Sequence, residues 1–289
     1  MKISTEIGSA AKIIGEEKVI EQVALAGFDA WDFSMFAMCK FDWSKGTFLQ
    51  SDHPLAGSNY IDFAKRLKRI GLDHGIVCNQ SHAPFPTSCK EIRSYLKRAI
   101  ECTAIAGGEI CVIHPDNNQS AEENAELYFE LLPFAKQHGV KIATENMWNW
   151  DHEKDQSTFA ACATPKSFCD HIDVVGDDGF VACLDIGHAE MRGSDTCAVE
   201  MIRALGPRLQ ALHIHDNDHW HDLHQIPGSL AIDFAPIVRA LKEINYGGYF
   251  TLEADQYLWD RTEETIFEGI KKMAAAARNL AQQFDTMKI

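Results

Sequence analysis

Positive charge is scarce in this chain: 27 Lys and Arg stand against 42 Asp and Glu in 289 residues, a formal net charge of −15 with histidines neutral. Nucleic-acid binding draws much of its affinity from cationic contacts with phosphate, so no nucleic-acid partner is expected. Long apolar runs are missing as well. Nothing approaches the ~18 residues of a membrane helix, and Glu6, Glu16 and Glu17 interrupt the start, so neither a membrane span nor a secretory leader is expected. Nine cysteines are present, an odd number, and none forms a Cys-x-x-Cys pair. Cys78, Cys111 and Cys183 lie inside apolar runs, where a reduced cysteine acts as a small hydrophobe, so a reducing cytoplasm is the expected compartment. No Gly-x-Gly-x-x-Gly turn, Walker loop or Gly-x-Ser-x-Gly elbow occurs, which leaves no fingerprint for a nucleotide cofactor or a serine hydrolase.

Hydrophobic residues at 46% and charged ones at 24% supply a sizeable core and rule out disorder, collagen or coiled coil for the whole chain. Short β-rich apolar runs at 2–6, 28–33, 75–81, 109–113, 140–144, 180–184, 209–215 and 249–253 alternate with amphipathic segments at 16–26, 61–74, 89–106, 121–138, 165–171, 198–205, 234–244 and 262–283. In 61–74, for example, Ile61, Phe63, Leu67 and Ile70 recur at helical spacing, with Lys65, Arg66, Lys68 and Arg69 on the other side. Alternation of this kind implies parallel strands with right-handed crossovers, and eight repeats can close into a (β/α)8 barrel. No linker or composition break divides the chain, so residues 1–289 are expected to form one α/β TIM-barrel domain. The longest irregular stretch, 34–60, follows the second strand and would lie at the catalytic mouth as a lid.

Polar residues fall at the strand ends. Strand three ends at His82, four at His114, five at Glu145, six at Asp185 followed by His188, seven at His213, and eight at Glu253. A barrel brings those ends together at one mouth, and converging carboxylates and imidazoles suit a divalent ion such as Mn²⁺, Co²⁺, Zn²⁺ or Mg²⁺. Any one of these residues is explained by a helix cap or a salt bridge; their joint occurrence is better explained by a metal site.

With this order of elements and these motifs between His82 and Glu253, the chain resembles the xylose-isomerase-like TIM-barrel superfamily of sugar isomerases and epimerases, which includes the AP endonucleases. The resemblance to its ketose 3-epimerases implies one divalent metal held by Glu145, Asp185, His213 and Glu253. It implies that Glu145 and Glu253 also exchange the proton beside the substrate carbonyl, while the metal stabilises the enediolate. His188, three residues after the metal Asp, then contacts substrate. His224, in "DLHQIPG", stands where those epimerases carry an arginine, and Asp151 where they carry a second glutamate; both are substrate-contact candidates, as are His82 and His114. Trp148, Trp150, Phe85 and Trp43 offer faces for sugar C–H groups, Trp148 foremost.

A rival reading comes from the AP endonuclease branch, where three zinc ions take nine ligands. His82, His114, Glu145, Asp185, His188, His213, Asp222, His224 and Glu253 match those types in order. Against it, "PGSLAID" stands where that branch has Gly-Glu-Gly, and the net charge of −15 opposes a DNA-binding surface. The expected function is therefore a metal-dependent isomerase or epimerase acting on a small sugar. Keto-inositol isomerase or dehydratase chemistry remains an alternative, and homo-oligomers are common in this family. No Arg or Lys lies between Asp216 and Pro236, which points to an unphosphorylated substrate.

Overall fold

The computed structural model describes residues 1–288. Its parallel strands are β1 (Ile3–Thr5), β2 (Ala30–Ser34), β3 (Val77–His82), β4 (Ile110–Val112), β5 (Lys141–Glu145), β6 (Phe180–Asp185), β7 (Leu209–His213) and β8 (Phe250–Leu252). Strands β2 to β7 form one six-stranded parallel sheet in chain order. β1 and β8 pair in parallel, Ile3 opposite Phe250. Isolated parallel bridges, Glu6 to Asp32 and Ile214 to Leu252, link that pair to the two edges of the larger sheet.

Alternation along the strands decides what each face meets. Cys111 and Ile113 join a cluster that runs from Ile3 to Phe284 between strands and helices, whereas Val112, Ala143, Val181, Cys183 and Ala211 pack together on the opposite face. Polar groups share that inner face. Ser4 Oγ donates to Asn79 Oδ1 at 2.6 Å, Asn79 Nδ2 donates to Thr251 Oγ1 at 3.1 Å, and Gln80 Nε2 donates to Asp32 Oδ2 at 2.9 Å.

The helices begin and end on local signals. Ser120 and Glu123 form a reciprocal capping box at the start of Ala121–Gln137, and Thr164 caps Pro165–Val175, whose first residue is a proline with no N–H to lose. Several details differ from the sequence expectation. Helix Gly8–Ile14 precedes Glu16–Ala26, the third amphipathic segment starts at Ile92 rather than 89, and the last helix is Ile266–Thr286. The stretch 34–60 is not irregular throughout: a 3₁₀ turn, Phe36–Met38, leads into an antiparallel hairpin of Lys40–Asp42 with Thr47–Leu49. Phe41 packs on Phe48 with centroids 5.0 Å apart, and three-residue strands are too short for a period-two pattern to register. A second hairpin, Asn149–Asp151 with Gln156–Thr158, follows β5 for the same reason without a sequence warning. Among the described residues no helix is long and apolar enough to cross a membrane.

Candidate active site

The C-terminal ends of the strands deliver the titratable residues to one place. Ligand atoms of Glu145, Asp185, His213 and Glu253 all lie within 4.8 Å of one another. His213 Nδ1 stands 2.9 Å from Glu145 Oε1 and 3.4 Å from Glu253 Oε2. His82 Nδ1 is 3.0 Å from Glu253 Oε1, its Nε2 is 2.6 Å from His114 Nε2, and both imidazoles lie within 3.5 Å of Glu145 Oε2. The pairing register makes this possible, because Asp185 stands opposite His213 and Cys183 opposite Glu145 in adjacent parallel strands.

A second group gathers beside the first. His188, His215, Asp222 and His224 also place ligand atoms within 4.8 Å of one another. His188 Nε2 lies 3.4 Å from Asp222 Oδ2, and His224 Nε2 lies 3.1 Å from Asp222 Oδ1. His188 is fixed from behind by Nδ1, 2.9 Å from the Asn146 carbonyl, and its N–H donates to Asp185 Oδ1 at 2.7 Å as the strand turns into a short helix. His215 links the groups, with Nε2 3.0 Å from Asp185 Oδ1 and its ring stacked on His224 at 3.9 Å. Gly187 is required for that arrangement: a Cβ there would come 2.0 Å from His215 Cε1.

Electrostatics follow from burial and proximity. Burial pushes the Glu145 carboxyl upward, but His213, His114 and His82 outweigh it and hold it well below the usual carboxylate range. Glu253 goes the other way, raised well above by burial and by the Glu145 charge despite His213. Burial also drives His82 well below the ordinary histidine value, with His114 acting in the same sense. His188 reaches about 10 because Asp185 and Asp222 overcome its desolvation. Burial pushes the Cys183 thiol up to about 12.

The residues fit a bound divalent cation. Glu145 Oε2, Asp185 Oδ2, Asp222 Oδ1 and both ring nitrogens of His215 are buried and make no aligned hydrogen bond among the described residues, although imidazoles stand within 3.5 Å of Glu145 Oε2 and Asp222 Oδ1 and His215 Nε2 is 3.0 Å from Asp185 Oδ1. Leaving such atoms unmatched is costly, and a cation relieves that cost for a mixed carboxylate and imidazole set. Behind His213, its Nε2 meets the fully buried Asp32 carboxylate at 3.2 Å, which Gln80 also holds. That is the carboxylate–histidine arrangement that orients metal-binding imidazoles.

Around these groups opens a cavity of about 940 Å³ lined by Phe36, Trp43, Phe85, Asn117, Trp148 and Asp255 together with His82, His114, Glu145, His188, Asp222, His224 and Glu253. Of the residues singled out from sequence, the structure gathers Glu145, Asp185, His213, Glu253, His188, His224, His82 and His114, and puts Trp148 on the cavity wall. Asp151 sits apart: its Oδ1 accepts from the N–H groups of Glu153 and Lys154 in its own turn, and it does not line the cavity. Sequence reasoning passed over Asp32, Gln80, Asn146 and His215. Only His215 carried a usable signal, since His213 and His215 are two apart at a strand end and face the same way.

Residues 20–278 match the family model of the xylose isomerase-like TIM barrel. The chain belongs to that family. Among curated relatives, "Uncharacterized protein MJ1311" of Methanocaldococcus jannaschii is 28% identical over 254 residues, covering 81% of this chain and 77% of the relative. Similar solved structures include a D-tagatose 3-epimerase-like protein, with TM-score 0.69, 20% identity and coverage of 98% and 99% of the two chains. The 3-keto-D-glucoside 4-epimerase YcjR from E. coli has TM-score 0.70 and 15% identity, again covering 98% and 99%. An L-ribulose 3-epimerase has TM-score 0.69 and 18% identity, covering 99% and 95%. At these identities the structural likeness establishes the fold of this xylose isomerase-like chain alone.

Proposed function

We propose that this member of the xylose isomerase-like family is a divalent-metal-dependent isomerase or epimerase of an unphosphorylated keto sugar, working by proton transfer at the carbon beside the carbonyl. The observation that carries the reading is the buried set Glu145, Asp185, His213 and Glu253, four ligand atoms within 4.8 Å at the barrel mouth. Glu145, Asp185, His213 and Glu253 would hold a divalent ion, which when bound would supply Lewis acidity to a substrate carbonyl and make the neighbouring C–H more acidic. Glu145 and Glu253 then take the proton from that carbon and return one to it. His188, His224, His82 and His114 ring the reacting centre, and Trp148 offers an aromatic face for the sugar's C–H groups. Asp32 and Gln80 keep His213 in one orientation.

The epimerase names borne by the structural neighbours accord with this reading. We read the two isolated bridges as closing one eight-stranded barrel that uses the whole chain as a single domain. Nine free cysteines suit the cytoplasm, and a homo-oligomer accords with the family. The second group, His188, His215, Asp222 and His224, favours more than one ion per chain, as in the three-zinc phosphodiesterase arrangement. The cavity wall argues against phosphodiesters, since it includes Asp116, Asp222 and Asp255 and, among the described residues, no Lys or Arg. Elemental analysis of protein purified without added metal, followed by chromatography of ketoses incubated with it, tests the reading. Metal lost in Glu145→Ala, together with metal-dependent conversion of a ketose to an isomer by the wild type, supports it. A metal-free protein that stays inert when Mn²⁺ or Co²⁺ is supplied refutes it.

A further inference from the structure

At about 940 Å³ the mouth cavity lies near the top of the roughly 300–1,000 Å³ range of small-molecule pockets and extends beyond the metal-ligand groups. Away from the metal-ligand groups, one wall consists of amides from the loops after β4 and β5: Asn117, Asn118, Gln119 and Asn149. These four residues also line a second groove of about 600 Å³, which continues past Phe159 toward Thr164 and Lys166. The amide wall is therefore a saddle between two adjoining cavities.

That wall is already assembled. Asn117 Nδ2 donates to the Trp148 carbonyl at 3.0 Å, and Asn149 Nδ2 donates to Asn118 Oδ1 at 3.1 Å and to the Phe159 carbonyl at 3.0 Å. The cross-links tie the β4 loop to the β5 hairpin, so little ordering entropy is lost when a ligand arrives. They leave Asn117 Oδ1, Asn118 Nδ2 and the Gln119 amide without protein hydrogen-bond partners among the described residues. Phe159, 59% exposed, adds an apolar face at the groove's near edge. Donors and acceptors side by side, next to an exposed aromatic ring and with no cation on the mouth cavity's wall, match the hydroxyls and C–H faces of a neutral sugar.

We infer that the substrate is a glycoside of at least two rings, its ketone-bearing ring over the Glu145–Asp185–His213–Glu253 set and its second ring on the saddle of Asn117, Asn118, Gln119, Asn149 and Phe159. The inference rests on the proton-transfer reading and narrows its substrate class. Because the second ring binds away from the reacting carbon, its contribution appears as a gain in kcat/KM over the single ring.

The test compares solvent-deuterium incorporation into 3-keto-trehalose, 3-keto-sucrose and 3-keto-cellobiose with that into 3-keto-glucose, using full-length Mn²⁺-loaded protein. Calorimetry with trehalose, sucrose, cellobiose and glucose measures binding separately. At least tenfold higher kcat/KM for one disaccharide, falling toward the single-ring value in Phe159→Ala and Asn118→Ala, is the expected result. Equal exchange of one- and two-ring substrates overturns the two-ring inference and leaves the proton-transfer reading standing. If nothing exchanges but a disaccharide binds at least tenfold tighter than glucose, the extended site stands and the proton-transfer reading falls. No exchange and no binding preference overturns both.

Discussion

The pair formed by Asp32 and His213 gives a magnitude for the part of the site farthest from solvent. His213 presents Nδ1 to Glu145 and Glu253 at 2.9 and 3.4 Å, and Nε2 to Asp32 at 3.2 Å. With Nε2–H donated to the carboxylate, Nδ1 is left as the lone-pair donor aimed at the cluster. Asp32→Asn keeps the shape and an acceptor but removes the charge that fixes this tautomer. It also places an NH2 in a fully buried position where Asp32 Oδ1 already lacks a partner. Loss of a carboxylate behind a metal-binding histidine typically weakens affinity by about 10- to 100-fold, or about 1.4 to 2.7 kcal/mol. Titration of the apo protein with Mn²⁺ in chelator-buffered solutions measures this directly, and circular dichroism checks that the variant is folded. A folded Asp32→Asn protein that binds Mn²⁺ within twofold of the wild type would refute the argument that Asp32 orients a metal-binding His213.

Other consequences are equally concrete. Glu253→Gln should remain folded and lose about 10²- to 10⁴-fold in exchange of the proton beside the carbonyl, the usual contribution of a positioned acid–base group; NMR of substrate in D2O reads it. Gly187→Ala drives a methyl into the His215 ring, 2.0 Å from Cε1, and should cost about 1–3 kcal/mol as overpacking, seen as a Tm lowered by several degrees. Burial, reinforced by the Asp255 charge, raises the Glu6 carboxyl to about 7. The folded state thus holds a proton that the unfolded chain releases near 4.5, so this group's stabilising effect is full below 4.5 and lost as the pH rises through 7. Glu6→Gln should flatten that window by up to about 3 kcal/mol; denaturant titrations at pH 5 and 8 showing the same slope as wild type would count against it.

The run of parallel strands and the gathering of most candidate residues at their C-terminal ends were legible because they rest on short-range signals. A strand end is marked where an apolar run stops, and His82, Glu145, Asp185, His213 and Glu253 stand at or beside such stops. Parallel topology then converts separate strand ends into one cluster without further information. Asp32 and Gln80 gave no such signal: they lie within or near apolar strands, and only the three-dimensional register shows them behind His213. Asp151 shows what spacing alone does not carry: it stands six residues past Glu145, and the hairpin that follows β5 turns its carboxylate onto the N–H groups of Glu153 and Lys154. Hairpins of three-residue strands, including the one bearing Trp43, carry too few residues to separate from loop, so the aromatic rim was visible as composition but not as structure.

The central claim is that carboxylates gathered around a divalent ion move a proton beside a sugar carbonyl. Its most direct test is deuterium incorporation from D2O into keto sugars by the Mn²⁺-loaded protein, by the same protein stripped with a chelator, and by Glu145→Gln and Glu253→Gln. The account predicts incorporation at the carbon beside the carbonyl with the loaded wild type alone, restored to the stripped protein by Mn²⁺. Incorporation that survives chelation and both substitutions would contradict it.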